Sequence, residues 1–136
     1  MMVVDSSVWI DYFNGQSTPQ TLYLRDQADR GLIVVGDLIL CEVLQGFRRD
    51  QDVQTARELL LGFQYRELVG QQVALDAARH YRTLRARGVT VRKTIDMLIA
   101  TFCLRNDFEL LHADRDFDPM ETHLGLRVIR ARERGN

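Results

Sequence analysis

IDMLIATFCLRNDFELLHADRDFD, running from Ile95 to Asp118, reads as a helix, a break, a strand and an acidic turn. From Ile95 to Leu104 the helix is apolar on nearly every side and holds one acid, Asp96, with no Lys or Arg. A carboxylate placed there loses its hydration, and an isolated buried charge either neutralises or finds a counter-charge. The helix is expected to break at Arg105-Asn106-Asp107. Phe108 to Leu111 then forms a short apolar strand, and the turn after it carries Asp114, Asp116 and Asp118. The end of such a strand is where an open α/β sheet places its ligands. Acids converging there with few nearby cations point to a bound metal.

Upstream, the same arrangement recurs. Met2 to Asp5 reads as a short buried strand ending in an acid, with Ser6 or Ser7 capping a helix that stops near Gly15. Pro19 suits the first turn of a second helix reaching about Arg30, and Leu32 to Val35 makes a second strand. Asp37 is placed as the N-cap of a third helix, whose apolar run from Leu38 to Phe47 encloses one acid, Glu42. Gly46 on that helix is read as a place where a neighbouring backbone comes close.

Further along, a helix opened by Gln51 or Asp52 runs to about Gly62, and Tyr65 to Val69 is a third strand. Gln71 to Arg87 is an amphipathic helix with arginines on its outer side, ended by Gly88. Val128-Ile129 is a last short strand, and 130–136, with Arg130, Arg132 and Arg134, is a loose polar tail. The alternation predicts an α/β fold with a largely parallel sheet of four or five strands, in one domain over 1–136.

Composition excludes several classes. With 136 residues, 46% apolar and 27% charged, the chain can bury a core without cross-links. No signal peptide or membrane span is legible. Cys41 and Cys103 lack a CxxC spacing and read as buried, reduced thiols of a cytoplasmic protein. A net charge of −1 gives no general attraction to nucleic acid. His80, His112 and His123 have no i, i+4 partners, which weighs against a histidine acid–base ribonuclease.

In a parallel sheet, Asp5, Glu42, Asp96 and Asp114 can meet at the carboxyl edge. Like charges about 4 Å apart repel by about 4 kcal/mol at an effective dielectric near 20, so four such acids need cations to stay ionised. Oxygen-only ligands fit Mg²⁺ or Mn²⁺ rather than zinc. The reaction class that follows is hydrolysis of a nucleic-acid backbone. The competing uses are ordinary ones: capping for Asp5 and Asp96, a buried salt bridge to arginine for Glu42, and a turn for Asp114. Asp116 and Asp118 either reach a second metal or serve the turn. Ser6 orients a ligand or caps, and Arg92 and Lys93 hold substrate phosphates or line a solvated loop. Asp11 is assigned to solvent. A receiver domain needs a pair of acids after its first strand, and a haloacid-dehalogenase-type phosphatase needs D-x-D there. DSSVW supplies neither.

Taken together, VVDSSVWIDYF, the E-V-L-x-G of Glu42 to Gly46, TIDMLIATF and LLHADRDF resemble the successive motifs of PIN-domain ribonucleases, specifically VapC toxins of toxin–antitoxin pairs. The resemblance spans almost the whole chain, in the family's order and spacing. It implies a PIN-like three-layer fold and a Mg²⁺-dependent endoribonuclease, with Mn²⁺ able to substitute, that cuts selected RNAs such as tRNA or a ribosomal RNA loop. It also implies a VapB-type antitoxin, a homodimer within a higher toxin–antitoxin assembly, and operator DNA bound only through the antitoxin. Asp5, Glu42, Asp96 and Asp114 match the acidic quartet, and Ser6 matches the hydroxyl beside the first acid. His112 stands where the family commonly has threonine, and Asp116 at a position that is acidic or Asn. The alternatives within this resemblance are a housekeeping nuclease without an antitoxin and a catalytically silent interaction module.

Overall fold

Three apolar residues in a row, with no polar alternation, suit a strand covered on both faces. In the computed structural model, which describes residues 1–131, β1 (Met2–Val4) is such a strand and is buried at every position. It pairs in parallel with β2 (Ile33–Gly36) on one side and β4 (Glu109–Leu111) on the other. β3 (Gln64–Arg66) pairs in parallel beyond β2, giving the order β3-β2-β1-β4. The strand expected at Val128-Ile129 is reduced to one parallel bridge between Leu110 and Val128. The sheet therefore has four strands and a single bridged residue beyond β4.

Among the described residues, seven helices complete the layers. α1 (Ser6–Phe13) and α2 (Pro19–Gln27) join β1 to β2, and α3 (Asp37–Gln45) and α4 (Asp50–Leu60) join β2 to β3. α5 (Gly70–Ala86) and α6 (Thr94–Asn106) carry the chain back across the sheet to β4, followed by a 3-10 turn at Arg115–Phe117 and α7 (Asp118–Leu124). Right-handed crossovers that travel in opposite directions put their helices on opposite faces of the sheet. Helix contacts follow this division: α1 touches α2 and α3, α3 touches α4, and α5 packs on α6 and α7. One hydrophobic cluster runs through both layers, with Trp9, Leu110, Ile99 and Phe117 almost wholly enclosed.

Several local expectations are corrected. Asp5, not Ser6 or Ser7, is the N-cap of α1, because its carboxylate accepts the Ser7 N–H at 3.0 Å. Asp37 is the first residue of α3, and Gly36 is its N-cap. The Asp37 side chain instead accepts two backbone N–H groups, from Leu38 at 2.9 Å and from Leu68 at 3.0 Å. That second bond draws the chain off the sheet after Arg66, which is why β3 stops short of Val69. Leu68 then fills the space over Gly36, where a Cβ would lie 2.3 Å from Leu68 Cγ. Gly46 faces only its own helix's carbonyls, at 3.5 Å or more, so no neighbouring backbone explains it.

α6 continues through Arg105 and ends at Asp107, which takes a left-handed conformation at φ 57°. Arg105 holds the helix to α5 by donating to Asp76 Oδ2 at 2.8 Å. Cys103 is buried as expected, but Cys41 is exposed, since it lies on the outer face of α3. Arg130 pairs with Glu121 and Ala131 packs against the core, so neither hangs free, whereas residues 132–136, with Arg132 and Arg134, lie outside the described residues. None of the described helices is long and apolar enough to cross a membrane.

Candidate functional site

The chain leaves β1 toward β2 and returns to β4 on the other side of β1. The carboxyl ends of β1 and β4 therefore flank the point where strand order reverses, the usual location of a crevice in an open parallel sheet. Asp5 follows β1 and Asp114 follows the turn after β4. The Asp5 N–H donates to the Leu111 carbonyl at 2.9 Å, so the two strand ends are held side by side.

Asp5 is 3% exposed. Its Oδ2 accepts from both the backbone N–H and the hydroxyl of Ser7, at 3.0 and 2.6 Å. Capping thus occupies one oxygen, while Oδ1 is buried without a hydrogen-bond partner among the described residues. Asp96, also 3% exposed, stands in the first turn of α6, and its Oδ2 is likewise buried without a hydrogen-bond partner among the described residues. Asp114 caps the 3-10 turn, accepting the Asp116 N–H at 2.9 Å. Oxygens of Asp96, Asp114 and Asp116 all lie within 4.8 Å of one another. Glu42 reaches the same end of the sheet from α3, and its partner is the Ser6 hydroxyl, which donates to Oε1 at 3.1 Å.

Carboxylates withdrawn from water and left with unpaired oxygens are the donor set of a hard cation. Among the described residues, no histidine or cysteine atom joins the converging oxygens. Burial pushes the Cys103 thiol up to about 12, so it keeps its proton. His112 Nδ1 already accepts the Asp114 N–H at 3.1 Å. The residues present therefore fit a divalent metal ion held through oxygen.

Comparison with known proteins places this arrangement in a family, since the PIN domain model matches residues 2–121. The chain belongs to the PIN-domain family. Among curated relatives, this PIN domain is 31% identical over 125 residues to ribonuclease VapC11 of Mycobacterium tuberculosis and to VapC ribonuclease Mb1587 of Mycobacterium bovis, covering 87% of this chain and 90% of each relative. Among solved structures it is similar to VapBC2 from Rickettsia felis bound to a DNA fragment from their promoter, with a TM-score of 0.73, 15% identity, and coverage of 94% of this chain and 96% of that one. VapBC-1 from nontypeable Haemophilus influenzae gives a TM-score of 0.73 at 14% identity, again covering 94% and 96%. At such identities the structural likeness is one of fold.

Electrostatics in this PIN domain follow from burial and mutual repulsion. Burial raises the Asp96 carboxyl to about 7; Lys93 pulls it down while Asp5, Asp114 and Glu42 add to the rise. Asp5 and Glu42 are also raised, chiefly by burial, and each is partly relieved by its serine. For Asp114, burial is outweighed by the Asp116 N–H and by Lys93, so it falls below its ordinary value. His112 is lowered by burial, against the opposing pull of Asp5 and the other nearby acids.

Of the uncertain positions, Asp116 joins the cluster and Asp118 does not, because Asp118 begins α7, is exposed, and lines a cavity with Asp114, His112 and Arg115 instead of converging on Asp96. Arg92 stands 4.0 Å from Asp116. Two residues carry more than their positions suggested. Ser7 bonds Asp5 and also accepts the Ala113 N–H at 3.1 Å, so it links the two acidic strand ends. Lys93 reaches Asp114, Asp96 and Asp116 at 3.3, 3.9 and 4.0 Å. The signal for Lys93 was its i, i+3 spacing to Asp96 in a chain with no other lysine.

Proposed function

We propose that this PIN domain is a Mg²⁺-dependent endoribonuclease of the cytoplasm, the toxin of a toxin–antitoxin pair, with Asp5, Glu42, Asp96 and Asp114 as its acidic quartet and Asp116 beside them. The observation that carries this reading is the gathering of the Asp96, Asp114 and Asp116 oxygens within 4.8 Å at the sheet's switch point, with Asp96 Oδ2 and Asp5 Oδ1 buried and without a hydrogen bond among the described residues. The names of the curated relatives, which are ribonucleases, support the reaction class. The VapBC complexes among the structural neighbours support an antitoxin partner.

A bound divalent cation would supply positive charge to phosphate oxygens and ease the loss of a proton from water. The chain's own residues do the rest. Asp5 and Asp96 are the first choices to hold the cation, with Asp114 and Glu42 completing the cluster or positioning water, and the convergence of Asp114 and Asp116 on Asp96 supports Asp114 as a further ligand. Ser7 fixes the Asp5 carboxylate in place through a 2.6 Å bond. Ser6 orients Glu42, which can accept a proton from attacking water. Arg92, 4.0 Å from Asp116, stands at the cluster's edge and can meet an RNA phosphate.

Hydrolysis by this route leaves 5′-phosphate and 3′-hydroxyl ends. The test is to sequence the RNA ends that appear on induction, comparing wild type with Asp96→Asn. New 5′-phosphate ends present only with wild type, at selected sites in tRNA or ribosomal RNA, are expected. Ends bearing 2′,3′-cyclic phosphate, or cleavage that persists in Asp96→Asn, would overturn the reading. Co-expression of the small open reading frame beside the gene is expected to relieve growth arrest, as an antitoxin should. The homodimer, the higher assembly and operator contact through the antitoxin belong to the same proposal.

A further inference from the structure

Lys93 stands at the rim of the acidic cluster as the N-terminal cap residue of α6, in extended backbone, and its carbonyl accepts the Asp96 N–H at 3.2 Å. Its ammonium lies 3.3 Å from Asp114 Oδ2, 3.9 Å from Asp96 Oδ2 and 4.0 Å from Asp116 Oδ2. These are the three residues whose oxygens converge within 4.8 Å. One monovalent cation is thus shared by the carboxylates that would hold a divalent one.

Two features make the sharing loose. Each distance exceeds the 2.7–2.9 Å typical of a charge-assisted hydrogen bond: the ammonium donates one long hydrogen bond, to Asp114 Oδ2, and meets Asp96 and Asp116 only as ion pairs. The Lys93 side chain is 52% exposed, whereas that of Asp96 is 5% exposed. A lysine has a flexible four-carbon stem and a strongly hydrated head, so it can leave for water while the carboxylates stay in place. A divalent ion among the same oxygens would repel the ammonium, which supplies the force for its departure.

We infer that Lys93 is an exchangeable counter-cation of this site: it holds the carboxylates of Asp96, Asp114 and Asp116 together before a divalent cation arrives, then turns out toward solvent when one binds. In that outward position it lies beside the place where an RNA phosphate would approach. Lys93 is a positioning residue acting through the carboxylates, and the inference rests on the proposed reading of the cluster as a cation site.

Calorimetric titration of the purified chain with Mn²⁺ tests this without reference to activity, using wild type, Lys93→Gln and Lys93→Arg. Lys93→Gln is expected to bind Mn²⁺ roughly tenfold tighter, because a half-exposed ammonium contributes little to any one pair but is removed from three at once. Lys93→Arg keeps a charge and is expected to stay within about threefold of wild type, on the same grounds of modest pairwise strength. In EDTA, Lys93→Gln is expected to unfold at lower urea than wild type, with the difference shrinking in saturating Mn²⁺. Equal Mn²⁺ affinity in wild type and Lys93→Gln, or weaker binding in the variant, would overturn the exchange. Absence of Mn²⁺ binding in all three proteins would overturn the cation-site reading and the exchange together.

Discussion

Ser6 and Glu42, 36 residues apart in the chain, meet through a hydrogen bond of 3.1 Å in which the serine hydroxyl donates to Glu42 Oε1. The bond joins the first turn of α1 to the middle of α3 and turns an acid in an apolar helix toward the sheet's carboxyl edge. It also explains Glu42 without a buried arginine.

Ser6→Ala leaves Glu42 half-buried and without that donor. Hydrogen bonding to the charged form lowers a carboxyl's pKa, so Glu42, already raised by burial and eased by Ser6, rises further. The expected result is a fall in RNA cleavage at neutral pH that recovers in part as pH is raised. A pH–rate profile of Ser6→Ala identical in shape to wild type would count against Ser6 as an orienting residue.

Asp96 makes stability depend on pH in a definite direction. Its carboxyl is raised to about 7 in the cation-free fold, from 3.8 in an unfolded chain. Between those values the native state binds the proton and the unfolded state does not, so stability is greatest below the lower value and falls as pH rises through the higher one. Asp96→Asn mimics the protonated form and removes the share of the dependence that Asp96 contributes, leaving those of Asp5 and Glu42. In EDTA it is expected to be more stable than wild type at pH 8, by on the order of 1–3 kcal/mol after allowing for screening by Lys93 and solvent. At pH 4 the two should be nearly equal. Mn²⁺, which needs the ionised carboxylate, is expected to bind wild type more tightly at pH 8 than at pH 6. Urea unfolding and calorimetry at these pH values decide both points.

Gly36 and Leu68 are predicted to be coupled. A Cβ at Gly36 would come within 2.3 Å of the Leu68 side chain, which is fully buried. Gly36→Ala should cost about 1–3 kcal/mol through overpacking, and Leu68→Ala about 2–5 kcal/mol through a cavity. Combined, they should cost clearly less than the sum, since each change accommodates the other. Additive losses in urea unfolding would show that the two sites do not share this space.

Ser7→Ala breaks both the 2.6 Å bond to Asp5 and the 3.1 Å bond from Ala113. Loss of about 1–2 kcal/mol of stability is expected from a hydroxyl bonded to a charged group. Mn²⁺ affinity should also fall, because the Asp5 carboxylate loses its anchor. Retained affinity with lowered stability would restrict Ser7 to holding the strand ends together.

Much of this molecule was legible as periodicity and punctuation. The all-apolar MVV of β1, the acid that closes it and the uncharged helix around Asp96 each announce a buried parallel sheet with carboxylates at its edge. Those signals are local, because they depend on which residues can face a dry interior. The resemblance carried by the four acidic motifs led to the same fold, and the PIN-domain match over residues 2–121 agrees with it.

What escaped the sequence is how side chains are aimed where the elements end. Asp116 and Asp118 are two residues apart and looked equivalent, yet one joins Asp96 and Asp114 while the other opens α7 at the surface. The 3-10 turn between them decides this, and it is stabilised by Asp114's own cap. Leu68 leaves the sheet because Asp37, 31 residues earlier, accepts its N–H. The sequence by itself determined that acids would sit at strand and helix ends, since hydrophobic period and helix-starting residues act over a few positions. The tertiary structure decided that Lys93, already i, i+3 from Asp96, would also be shared by Asp114 and Asp116, because that depends on two separate backbone segments converging to within about one side-chain length, a distance no local pattern encodes.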